Sequence, residues 1–169
     1  MTPQMKYGLI NGGVAIVWSL LMYVTGLNRN ESFQLINIIS LVIPIACMVM
    51  AIKEYRFETG NGWINFGKAF KVSFLTGLIG SVIAMGFYFI YISFIDPGFI
   101  DFQKNLQQQK YEEAGMTDEM IEQYMSQSEF FMQPSMQFVF GLLVSVFISL
   151  VLALIVAAIM KKPNPEEIS

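Results

Sequence analysis

The sequence predicts an all-α membrane protein: a four-helix transmembrane bundle with an extracytoplasmic amphipathic two-helix hairpin between spans 3 and 4. Three observations predict it. Four stretches, Tyr7 to Gly26, Phe33 to Ile52, Val72 to Ile95 and Phe130 to Met160, contain no charged residue, and a helix of about 20 apolar residues crosses a hydrocarbon core roughly 30 Å thick. Apolar residues make up 54% of the chain, an excess that burial against lipid explains and that a soluble domain of this length would have to expose. Lys and Arg also fall unevenly between the connections, as they do when one side of a membrane is cytoplasmic.

With 169 residues, four spans and their connections leave no length for a separate soluble catalytic domain, so residues 1–169 are read as one membrane domain. The spans fall at about 7–26, 33–52, 70–95 and 134–160, with an external loop over 96–133 and a disordered tail over 163–169. Span 1 is followed by Thr25-Gly26-Leu27-Asn28-Arg29, which lacks a small-residue cleavage signature, so it is read as an uncleaved first span. Spans 1 and 2 are joined by a short link and must be antiparallel neighbours.

The next connection is basic and carries the turn signal Gly60-Asn61-Gly62. Trp63, Phe66 and Phe70 are placed at the inner interface, where Lys68 can reach water along its stem. Asn65 is expected to cap the third helix. In the external loop, Asp96-Pro97 is read as an N-cap with Pro at the first helical position, Gly115 as the terminator of that helix, and Thr117 as the cap of the second. Pro134 opens the fourth span.

Orientation follows from the cations. Lys6, Lys53, Arg56, Lys68, Lys71, Lys161 and Lys162 fall on one side and only Arg29, Lys104 and Lys110 on the other. Both termini are therefore expected in the cytoplasm, and the protein in the cytoplasmic (inner) membrane as a multi-pass chain.

The fourth span carries Gly141, Ser145, Ser149, Ala153 and Ala157 at four-residue spacing, Thr76, Gly80 and Ala84 repeat the pattern on the third beside Ser73, Gly77 and Ser81, and Gly8 and Gly12 do so on the first. Small residues four apart share a helix face and let a second helix approach closely, which is how membrane helices associate. These are the candidate packing residues, within the chain or against a second copy. Asn11, Asn37 and Ser40 are polar within spans 1 and 2, and Asn11 and Asn37 are expected to pair across that hairpin, because an amide in hydrocarbon needs a partner. Pro44 removes a backbone donor and frees the Ser40 carbonyl, which predicts a kink.

Chemistry is sparsely provided for. There is no His, and the single Cys47 lies mid-span, which excludes an intramolecular disulfide and argues against zinc or haem. Hence no catalytic, metal or cofactor-binding residue is assigned. The loop acids Asp96, Asp101, Glu112, Glu113, Asp118, Glu119, Glu122 and Glu129, against Lys104 and Lys110, read as a solvated face, since adjacent acids on a helix point apart. No phosphate loop or basic nucleic-acid patch occurs, so nucleic acid is not expected as a partner. No span holds an ionisable residue, which disfavours ion-coupled transport.

Lys53-Glu54-Tyr55-Arg56, Asn65-Phe66-Gly67-Lys68-Ala69-Phe70 and Phe94-Ile95-Asp96-Pro97 together resemble a bacterial family of small four-span integral membrane proteins classed as a domain of unknown function. The resemblance covers almost the whole chain and implies an inner-membrane protein with no assigned site residues. The expected function is that of a non-enzymatic accessory or scaffold protein, whose partners are the lipid bilayer and either another membrane protein or a second copy of the chain. Two alternatives stand beside it: a small transporter or channel for a neutral or lipid-like substrate around Asn11, Asn37 and Pro44, and a lipid-modifying enzyme using Asp96 or Asp101.

Overall fold

A computed structural model of the chain describes residues 1–30 and 41–164. Among the described residues six α-helices follow one another: α1 (Pro3–Val24), α2 (Val42–Glu58), α3 (Phe66–Ile90), α4 (Gly98–Glu113), α5 (Asp118–Met132) and α6 (Pro134–Met160). A 3₁₀ turn, Leu27–Arg29, follows α1, and a π-helical turn, Tyr91–Ile95, continues α3. Among the described residues there is no strand, only an isolated antiparallel bridge between Ile64 and Lys162.

Among the described residues three helices are long and apolar enough to cross a membrane: Pro3–Val24, Phe66–Ile95 and Pro134–Met160. The predicted second span lies partly outside the described residues. Its described part, α2, starts at Val42 and runs to Glu58, six residues beyond the expected end. Helix propensity carries it on, since Lys53-Glu54-Tyr55-Arg56 has no breaker.

Sequence-local chemistry sets the ends. Pro3 occupies the first turn of α1, where its missing donor costs nothing. The helix closes where Thr25 Oγ1 donates to the Leu21 carbonyl at 2.7 Å and Gly26 takes φ +70°. Past α2, the amides of Thr59, Gly60 and Gly62 return to the Tyr55 and Arg56 carbonyls, a path that puts Asn61 at φ +49° and Gly62 at +89°. Asn65 caps α3, its Oδ1 accepting the Lys68 amide at 2.9 Å. Gly115, at φ +74°, ends α4 in a Schellman motif: the Met116 amide reaches the Tyr111 carbonyl and the Gly115 amide that of Glu112.

Two expected caps are built differently. Asp96 does not cap α4; Pro97 holds the cap position and the helix starts at Gly98. The Asp96 amide donates to the Tyr91 carbonyl at 2.8 Å, closing the π turn, and one oxygen of its carboxylate accepts the Tyr91 hydroxyl at 3.0 Å. Thr117 does occupy the cap position of α5, but its hydroxyl makes no capping bond.

The chain divides into two compact units, one of Met1–Ala84 with Leu143–Ser169 and one of Met85–Leu142. In the first, Met48, Ala51 and Ile52 of α2 are fully buried, with Ala69 and Val72 of α3, Val156 and Ala157 of α6, Tyr7 of α1 and Ile64 packed into the same core. The opposite face of α6 is left open, with Leu143, Val144, Phe147, Ile155 and Ile159 all exposed. An apolar face of that length is stable in contact with lipid. In the second unit, Tyr91, Ile92 and Ile121 are buried, and α4 and α5 meet through the Tyr111 and Tyr124 rings, 5.7 Å apart.

Candidate functional site

The small residues of the first unit form a closed seam. An added Cβ on Gly8 would stand 2.7 Å from Ile79 Cβ, and one on Gly12 2.6 Å from Ile83 Cβ, so α1 and α3 touch nearly backbone to backbone. Asn11, buried between these glycines, lies with its carboxamide where a side chain on Gly80 would be. Gly77 faces Ser149 of α6 and the Met48 methyl. Ser149, Ala153 and Ala157 are buried, whereas Ala84 and Ser145 are half-buried. In the second unit, Gly141 faces the end of Met85.

The hydroxyls of the seam bond to their own helix or across it to the next. Thr76 Oγ1 donates to the Val72 carbonyl at 2.8 Å, Ser73 Oγ to the Ala69 carbonyl at 2.8 Å, and Ser81 and Ser149 share a hydrogen bond at 3.1 Å. A hydroxyl bonded to its own helix's carbonyl needs no ligand. Asn37 and Ser40, and with them the expected Asn11–Asn37 pair and the kink at Ser40, lie outside the described residues. Pro44 sits in the first turn of the described α2, where an absent amide donor is tolerated.

A polar knot stands at one end of this unit. Lys6 Nζ and Tyr7 OH both donate to the same carboxylate oxygen of Glu54, at 2.7 and 2.8 Å. These two bonds, the lysine's first, hold the Glu54 carboxyl below its ordinary pKa. At that end too, Ile64 and Lys162 exchange backbone hydrogen bonds of 2.8 Å in both directions, and the Lys162 ammonium stands 4.5 Å from the centre of the Trp63 ring. Next to the bridge is a cleft of 250 Å³ that includes Asn61, Asn65 and Lys68. Neither contact was foreseen from the sequence. The signal was present as Lys6 and Glu54, opposite charges just outside two neighbouring apolar runs.

The acids of the second unit spread apart. Glu112 and Glu113 each accept a hydrogen bond from the glutamine four residues before, Gln108 and Gln109, and so lie on different stripes of α4. Asp96 is buried against Tyr91, while Asp101 is exposed in the first turn of α4. Lys104 and Glu129 approach to 4.0 Å beside a cleft of 450 Å³. Tyr88 donates to Gln137 at 2.8 Å, and Gln137 in turn bonds Gln103 at 3.3 Å. Among the described residues no three His, Cys, Asp or Glu converge as a metal site requires.

A family model described as protein of unknown function, DUF4199, matches residues 6–162. The chain belongs to this family. No curated protein matches it, and no solved structure does. In this family member the match reaches from Lys6, which holds Glu54, to Lys162, which holds Ile64 and Trp63. All six helices lie within it apart from the first turn of α1.

Proposed function

We propose that the protein is a four-span integral protein of the cytoplasmic membrane, with both termini in the cytoplasm and α4 and α5 forming an extracytoplasmic hairpin, and that it serves as a non-enzymatic accessory or scaffold subunit. Its partner is another membrane protein or a second copy of the chain. The observation that carries the reading is the closed seam: Gly8, Gly12, Gly77 and Gly80 are each filled by a side chain of a neighbouring helix. Small-residue stripes serve either packing within a chain or association between chains. Here they are used within it, which leaves the open apolar face of α6 to lipid and partner.

Two contacts support the topology. The Lys6–Glu54 ion pair brings the start of α1 to the end of α2, and the Ile64–Lys162 bridge brings the tail to the loop before α3. The N-terminal arm, the basic loop and the tail thus share one end, as a chain crossing four times with both termini on one side requires. The cation distribution assigns that end to the cytoplasm.

The experiment is purification of the full chain from its native membrane in mild detergent after crosslinking, with mass measured by light scattering. A stoichiometric complex or a defined oligomer is expected. A clean monomer that moves a neutral solute across liposomes would overturn the reading.

A further inference from the structure

Between α2 and α6 the first unit holds a wholly apolar groove of 290 Å³, lined by Ile45, Val49, Leu152, Ile155, Ile159 and Met160 among others. It has a direction. Ile45 and Val49 lie one turn apart on α2, and the next residue in that row is Lys53, which is exposed. On α6, Leu152, Ile155 and Ile159 form the matching row; the helix ends at Met160, and Lys162, exposed, follows two residues later in the bridge to Ile64. Both helices run toward the end where Lys6 meets Glu54 and Lys162 meets Ile64, so beyond its apolar walls the groove points to the end of the unit that carries Lys53 and Lys162.

The neighbouring acid does not cancel that charge. Glu54, beside Lys53 in sequence, has its carboxylate occupied by Lys6 and Tyr7. The Lys162 ammonium lies over the Trp63 ring, a neutral partner that carries no opposing charge. An apolar slot between membrane helices that points to lysines at the headgroup level matches the charge and polarity of one kind of molecule.

We infer that the groove between α2 and α6 seats an acyl chain of an anionic phospholipid whose phosphate is held by Lys53 and Lys162. The inference rests only on the chain being a membrane protein. It would survive failure of the accessory reading, which is read from oligomeric mass and solute flux.

The test is native mass spectrometry of the full chain, stripped of lipid in mild detergent and offered equal phosphatidylglycerol and phosphatidylcholine of the same acyl length. Preferential retention of phosphatidylglycerol is expected. At about fivefold per lysine near the headgroup plane, K53Q/K162Q should reduce the preference on the order of thirtyfold and leave phosphatidylcholine retention unchanged. Ile159→Trp, which fills the groove from an exposed position, should lower retention of both lipids. Equal retention of the two lipids by the native chain, or a preference untouched in K53Q/K162Q, would overturn the inference. So would displacement of phosphatidylglycerol by inorganic phosphate at comparable concentration, which would assign the lysines to a free anion and leave the groove without a role.

Discussion

Gly12 and Gly13 are adjacent in α1, yet their surroundings differ. A methyl on Gly12 would stand 2.6 Å from the branched Cβ of Ile83, which no rotamer can withdraw, whereas Gly13 has nothing within 4 Å. Gly12→Ala should therefore cost about 1–3 kcal/mol through overpacking, seen as a lower Tm in detergent. Gly13→Ala should be neutral or stabilising by up to about 1 kcal/mol, because alanine is the better helix former. Four-residue spacing marks Gly8 and Gly12 as sharing a face, but it does not say that Ile79 and Ile83 fill that face. Glu54 offers a second check. Its folded pKa lies below the ordinary 4.5, so the fold favours the ionised carboxylate. That contribution is fully present above the ordinary value and is lost as the pH falls toward the lower folded one. Thermal stability should show this acid limb in the native chain, and Glu54→Gln should flatten it.

Helix ends divide into those that local chemistry decides and those that it does not. Gly115 at φ +74° and the Asn65 cap are local, each needing only residues within a few positions, and both were visible as residue types. Gly115→Ala forces an L-residue into the left-handed region and should cost about 1–2 kcal/mol. Faster hydrogen exchange of the Met116 amide, which bonds the Tyr111 carbonyl, would show the Schellman motif loosening; unchanged exchange would contradict it. Asp96 shows the other case. Asp-Pro is a sound cap signal, but the helix starts at Gly98 with Pro97 at the cap position, and the Asp96 amide closes a π turn on the Tyr91 carbonyl. A single inserted residue in the hydrogen-bond pattern of α3 decides this, and no local propensity encodes it. In α2, hydropathy ended the predicted span at Ile52, whereas the helix itself ends only at Glu58. Hydropathy reports where lipid stops, and backbone hydrogen bonding continues until a turn-former intervenes.

Across the first unit, three segments far apart in sequence come to one end through Lys6–Glu54 and Ile64–Lys162. Under the four-span arrangement proposed above, this end is the cytoplasmic one and the loop between α4 and α5 lies outside. Cysteine labelling checks it in a Cys47→Ser background, which removes the chain's one cysteine. An impermeant maleimide should label Lys110→Cys in intact cells and label Lys161→Cys only after permeabilisation. Equal labelling of both before permeabilisation would refute the arrangement.

Composition and run length alone were sufficient for the all-α class and, of the four spans expected, for the three helices among the described residues that are long and apolar enough to cross a membrane, because the cost of exposing a polar backbone to lipid leaves a long uncharged apolar run few options. Family membership follows from the chain itself over residues 6–162. Which stripe faces which helix, that Asn11 covers Gly80, that one carboxylate oxygen serves both Lys6 and Tyr7, and that an apolar groove opens between α2 and α6 were settled only by the tertiary structure. These are pairings between positions dozens of residues apart. Periodicity specifies a face, but only packing in three dimensions specifies what the face meets.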